Sequence, residues 1–227
     1  MQSSDFLIAV FEFVILLFSL SVHECAHAWT ASRLGDQTAR MLGRVSLNPA
    51  VHIDPIGTLL FPALMIFGPL IGYGTFSRYI FGWAKPVPVI SRNFGNLKRD
   101  DMLVSVAGPL SNLLLAILAF LGLATLIVVE RHMAADNNPA NTVQALYLLF
   151  SIALQLNLAL AIFNLLPIPP LDGSHVARNL LPYQAVQIFD RIPLWGSYLL
   201  MIFIGRTVLG ILLLPIMGVV NSVLAHI

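Results

Sequence analysis

Residues 6–31 form an apolar run long enough to cross a bilayer, and inside it stand His23, Glu24 and His27 in the order His-Glu-Cys-Ala-His. A helix needs about 20 such residues to span the hydrocarbon. On a helix, positions i and i+4 share a face one turn apart. Both imidazoles can therefore reach one metal ion while Glu24 stands beside it to handle a proton. The alternative is a chance polar patch on a packed helix, which would bury three ionisable groups in a membrane at a cost of several kcal/mol without return. Cys25 is the only cysteine, so no intramolecular disulfide can form. It lies about 200° around the helix from His23, away from the metal face, which assigns it to packing.

The rest of the chain is of the same kind. Apolar residues make up 58% and charged residues 10%, with a mean hydropathy of +0.85, against about 45–50% and 25% for a soluble domain. This composition implies an integral membrane protein. A formal charge of +1 gives no reason to expect nucleic acid as a partner. The amino-terminal run carries Asp5 and no Lys or Arg ahead of it, and it continues past any plausible cleavage site, so it reads as a retained helix rather than a signal peptide. Nearly all of the 227 residues fall in apolar segments or short connections, which predicts one integral membrane domain over 1–227.

Further apolar stretches cover residues 56–73, 102–129, 143–166 and 194–223. Both flanks of 56–73 are basic, with Arg33, Arg40 and Arg44 before it and Arg78, Lys85, Arg92, Lys98 and Arg99 after it. Positive charge marks the cytoplasmic side. The stretch also carries Pro62, Gly68, Pro69 and Gly72, with Gly74 just beyond, which favours a broken element over a straight crossing. A re-entrant or hairpin element is therefore expected there. The remaining stretches then alternate, with Arg131 outside and Arg178 and Arg191 inside, and the His-Glu-x-x-His end of the first helix faces the cytoplasm.

A third metal ligand must come from another segment at the same depth, and Asp172 is the best candidate. In Asn164-Leu-Leu-Pro-Ile-Pro-Pro-Leu-Asp172-Gly173, three prolines interrupt an apolar helix before a carboxylate is presented. Such a break at membrane depth is tolerable where it is buried in protein or lines a cavity. Two histidines and one carboxylate leave the fourth tetrahedral position of zinc open, as in catalytic rather than structural sites. An ordinary Asp-Gly turn is the alternative for Asp172.

With these two motifs the chain resembles the site-2 protease family of intramembrane zinc metalloproteases (M50-type), in its small branch without PDZ or CBS domains. Gly43 to Pro49, His52 to Thr58, Gly82 to Pro88 and Ala107 to Asn112 also fit, and the resemblance runs over residues 6–178. It implies an all-α polytopic membrane protein with a site-2 protease core. It implies that His23, His27 and Asp172 bind one zinc per chain and that Glu24 is the catalytic carboxylate in peptide-bond hydrolysis within or near transmembrane segments. Substrates would be transmembrane proteins in the bilayer, and a separate membrane protein would have to supply any regulation that PDZ or CBS modules give other members. A prokaryotic cytoplasmic membrane is the expected setting.

Several finer expectations follow. A transmembrane substrate must unwind and find new backbone partners, for which residues 41–47 are the candidate short β-strand after the first helix. Asn112 and Asn164 could hydrogen-bond substrate or an oxyanion, or could join helices. His175 is expected outside the ligand set, because a fourth protein ligand would close the water position. Glu12 and Arg206 fall at similar depth and are candidates for an ion pair, with a water path through Glu12 as the competing view. Two other functional classes compete with the protease: a catalytically silent relative that binds transmembrane helices as an adaptor or chaperone, and a metal transporter. Intact Glu24, His23, His27 and Asp172 argue against the first, and an outer half that is nearly all apolar apart from Glu12 and Arg206 argues against the second.

Overall fold

The computed structural model describes residues 3–71, 83–133, 141–201 and 206–227. Nine α-helices are present among them: α1 (Ser3–Arg33), α2 (Thr38–Met41), α3 (Phe61–Phe67), α4 (Leu97–Met133), α5 (Asn141–Asn164), α6 (Asp172–Leu180), α7 (Tyr183–Phe189), α8 (Leu194–Leu200) and α9 (Arg206–His226). Four segments, Asp5–Arg33, Leu97–His132, Thr142–Asn164 and Thr207–His226, are long and apolar enough to cross a membrane.

Helix α1 contains neither Gly nor Pro and runs unbroken for 31 residues. It stops at Gly35, whose φ of +113° only glycine adopts readily. The Asp36 N–H then returns to the Ala31 carbonyl at 3.0 Å, closing a Schellman-type end. Helices α1, α4 and α5 pack together, with α6 against α4 and α9 against α5. Ala116, Ala119 and Leu123 of α4 form a buried cluster with Leu154 and Leu158 of α5, and Leu213, Met217 and Val220 of α9 pack on it. Small residues let these backbones approach closely. A Cβ on Gly122 would come within 2.8 Å of the Phe150 ring.

Two sequence expectations find no support among the described residues. Residues 41–47 are not a strand, and no strand occurs among the described residues. Gly43, at φ +70°, caps α2 instead: its N–H bonds the Arg40 carbonyl at 3.0 Å and the Arg44 N–H bonds Ala39 at 2.9 Å. Those two bonds complete a Schellman motif, which turns the backbone away from any ladder. The re-entrant or hairpin element is not seen among the described residues either. Residues 55–71 form one helical arm, a π-turn over Pro55–Leu60, then α3, then a 3-10 turn over Gly68–Ile71, and residues 72–82 lie outside the described part. Of the apolar stretch 194–223, residues 194–200 belong to α8 and 206–223 to α9, and residues 202–205 lie outside the described part.

Asp54 starts the arm, its Oδ1 accepting from the N–H groups of Ile56 and Gly57 at 3.0 and 2.7 Å. Phe67 meets Phe13 and Phe6 of α1, with ring centroids 5.8 and 6.4 Å apart. The expected Glu12–Arg206 pair cannot be placed, because the Arg206 side chain lies outside the described part.

Candidate metal centre

His23, His27 and Asp172 meet, each offering a ligand atom within 4.8 Å of the others. The Nε2 atoms of the two histidines are 3.0 Å apart. Asp172 Oδ2 lies 3.1 Å from His23 Nε2, and Oδ1 lies 3.3 Å from His27 Nε2. Ligands about 2.0–2.2 Å from a tetrahedral zinc would be separated by about 3.3 Å. The three groups are therefore spaced as one ion would require.

Their hydrogen bonds say the same. His27 Nδ1 lies 2.7 Å from the carbonyl of Val104, which can only accept, so Nδ1 carries the proton. His23 Nδ1 donates to Asn112 Oδ1 at 2.7 Å, because the amide nitrogen of Asn112 is turned to Asn157 Oδ1 at 3.2 Å. Both Nε2 atoms are left with a lone pair aimed at a carboxylate, and Asp172 Oδ2 is buried without a hydrogen-bond donor. Two lone pairs and an anion in one buried spot repel each other unless a cation joins them. The donor set fits zinc, with two nitrogens and one carboxylate.

Each ligand is placed by its neighbourhood. His23 and His27 are buried on the face of α1 that meets α4. There α4 presents Gly108, where a Cβ would stand 2.4 Å from His27 Nε2 and 2.6 Å from His23 Nε2. Only glycine leaves room. Asp172 opens α6, which folds back on the end of α5 so closely that a Cβ on Gly173 would fall 2.2 Å from the Leu165 carbonyl oxygen. Asn179, two turns along α6, donates to Asp101 Oδ2 of α4 at 2.6 Å and fixes that helix.

Glu24 lies beside the cluster on α1, and its Oε2 accepts the N–H of Val87 at 3.0 Å. Asn112 is fully buried with both amide atoms engaged, so it faces His23 and Asn157 rather than an open site. Asn164 donates to Leu160 of its own helix at 3.0 Å, and no described contact joins it to the cluster. His175 lies 3.9 Å from Asp101 and outside the ligand set. The groups absent from the sequence expectations are the Val104 carbonyl and the Val87 amide, which are backbone and carry no residue-type signal, and Gly108, whose motif was visible without its purpose.

The model of peptidase family M50 matches residues 11–204. Putative zinc metalloprotease YwhC of Bacillus subtilis (strain 168) is 41% identical over 169 residues, 74% of this chain and 68% of that protein. The proteins named Putative zinc metalloprotease Rip2 from Mycolicibacterium smegmatis and from Mycobacterium tuberculosis (strain H37Rv) are each 31% identical. They align over 87% and 86% of this chain and 68% and 66% of their own lengths. No solved structure matches.

Proposed function

The chain belongs to peptidase family M50 and is a zinc metalloprotease, and we propose that it hydrolyses peptide bonds in or near the transmembrane segments of membrane-protein substrates. The observation that carries this reading is the meeting of two Nε2 lone pairs, carried by a helix of membrane length, with the carboxylate that opens α6, and with Glu24 one residue from His23. His23, His27 and Asp172 would hold one zinc per chain. A zinc ion held there supplies Lewis acidity toward a water and toward the scissile carbonyl. Glu24 takes the proton of that water and passes it to the leaving amine nitrogen. Asn112 and the Val104 carbonyl keep both imidazoles in the tautomer that presents Nε2.

The depth of the site supports a membrane substrate. His23 is ten residues before the end of α1 at Arg33, about 15 Å along the axis. A multi-pass topology with the site toward the cytoplasm is supported by Arg33, Arg40, Arg44, Lys85, Arg92, Lys98 and Arg99, which flank the same end of α1 and α4. A prokaryotic cytoplasmic membrane accords with the relatives' sources. Labelling a cysteine placed at Lys98, in a Cys25→Ala background, tests the orientation. Reaction from the cytoplasmic side is expected, and reaction from outside overturns it.

The function is tested by zinc content and cleavage in detergent. The probe is a single-span Leu/Ala peptide with a central Gly-Pro pair, carrying a fluorophore and a quencher at its ends. Wild type is expected to hold about one zinc and cleave the probe, Asp172→Ala to lose zinc, and Glu24→Gln to keep zinc without cleaving. Zinc-loaded wild type that binds the peptide without cutting it would favour the silent helix-binding relative.

A further inference from the structure

Residues 83–90, Trp-Ala-Lys-Pro-Val-Pro-Val-Ile, have no regular secondary structure and run as a strap between two anchors. At the first anchor the Trp83 N–H donates to the Gly57 carbonyl at 3.1 Å and the Trp83 carbonyl accepts from Thr58 Oγ1 at 2.8 Å. The indole ring lies so close over Gly57 that a Cβ there would meet it at 2.3 Å. Ala84 is buried against Leu16 and Leu20 of α1, and the Lys85 N–H donates to His52 at 2.9 Å.

The second anchor is Asp36, whose side chain is 0% exposed. Its Oδ2 accepts the Ile90 N–H at 2.7 Å. Its Oδ1 accepts from Thr38 N and Oγ1 at 3.1 and 2.6 Å and from Asn93 Nδ2 at 2.8 Å. Burial alone would push this carboxyl up, yet the bonds from Ile90, Thr38 and Asn93 carry it below its ordinary value. Asp36 is also rigidly joined to α1 through the Gly35 turn, so Glu24 and Asp36 move as one piece.

Between the anchors lies Val87. Pro86 and Pro88 have no N–H, so Val87 holds the sole donor of its tripeptide, and that donor is aimed at Glu24 Oε2. The same peptide group turns its other side to a cation: the Pro86 carbonyl accepts from Nη2 of the buried Arg44 at 3.4 Å. In a trans peptide these two directions are opposite. Ile90 is only three positions from Val87, a reach of about 10 Å.

We infer that Asp36 is a positioning residue for Glu24: by pinning Ile90 it holds the Val87 amide against one carboxylate oxygen and leaves the other to take the proton. This rests on the reading of Glu24 given above. Asp36→Asn tests it with little change of shape, since an amide nitrogen at the Oδ2 position opposes the Ile90 donor while Oδ1 keeps its three bonds.

Two readouts are taken on the full-length protein in detergent, with the fluorogenic transmembrane peptide as substrate. In hydrogen–deuterium exchange, Val87 is the only exchanging amide of residues 86–88, and Asp36→Asn should speed it by about tenfold or more, the weight of one lost hydrogen bond. In turnover, kcat should fall about tenfold with KM and zinc content near wild type, as a misplaced base would give. Val87→Pro removes the donor itself, and the double variant should be no slower than Val87→Pro alone. Unchanged Val87 exchange in Asp36→Asn, kcat losses that multiply in the double variant, or zinc lost together with activity would each overturn the inference. Glu24→Gln separates the two levels. If it still cleaves, the role of Glu24 falls and the inference with it. A dead Glu24→Gln beside a fully active Asp36→Asn removes the inference alone.

Discussion

The half of the bundle around His23 and the half where α9 leans on α4 and α5 are held together in different ways. Around His23, helix meets helix through directed polar contacts: His23 to Asn112, Asn112 to Asn157, His27 to Val104 and Asn179 to Asp101. Between α4, α5 and α9 the contact is a contiguous, mainly apolar cluster of Ala, Leu, Met and Val with Phe120, Tyr147 and Phe150 packed against it. In lipid there is no hydrophobic drive to bring apolar helices together, so that second half depends on close fit. The first half depends on each polar group finding its one partner. Substitutions should therefore act on the metal in one half and on the fold alone in the other.

The largest effect is expected at Gly108. A methyl group there would stand 2.4 to 2.6 Å from His27 Nε2 and from His23 Cε1 and Nε2. Neither imidazole can give way, because Val104 and Asn112 hold the far side of each ring. Gly108→Ala should purify as a folded helical protein with little or no zinc and no cleavage of the fluorogenic peptide. Normal zinc content in this variant would mean that the polar half yields as readily as the apolar one.

Asn112→Ala comes next. It removes the acceptor that fixes His23 and leaves the Asn157 carbonyl without its donor. Loss of a group that orients a metal-bound histidine typically weakens metal binding about 10–100-fold. Competition with a zinc chelator measures it. A change confined to thermal stability would place Asn112 with the apolar half, as a residue that merely joins helices.

How far these halves were readable beforehand differs as well. His23, Glu24 and His27 are legible because helical period brings them together without help from the rest of the chain. Asp172 is legible because three prolines and a glycine are a costly thing to place in an apolar helix. The four long helices follow from hydropathy alone. What is not legible is anything carried by backbone or by distance. Asn112 looks as suited to a substrate as to a histidine until α4 is laid beside α1. Gly43 looks like part of a short strand until its φ of +70° is known. The Val87 amide has no side chain to advertise it, and Asp36 reads as an ordinary turn residue after a helix.

Leu158→Ala probes the other half. Leu158 is buried on α5 against Ala116, Ala119 and Leu123. In water such a truncation costs about 2–5 kcal/mol. In lipid most of the transfer part is absent, so about 1–2 kcal/mol of lost packing is expected. Thermal unfolding in detergent should shift down while zinc content stays at wild type. A loss of zinc would show that the two halves are coupled after all.

The smallest effect is expected where α9 turns outward. Leu214 is 74% exposed, one residue from Leu213, which packs on the buried cluster. In a soluble protein so exposed a leucine would invite a partner. On a helix of membrane length, acyl chains fill that role, and alanine meets lipid about as well as leucine does. Leu214→Ala should therefore change stability by less than about 0.5 kcal/mol and leave both zinc and turnover untouched. Leu213→Ala, one step around the helix, should be measurably worse, because its side chain touches protein. If the neighbours lose equal stability, α9 is held by more than its inward face, and the apolar half is not the simple packed surface that its cluster describes.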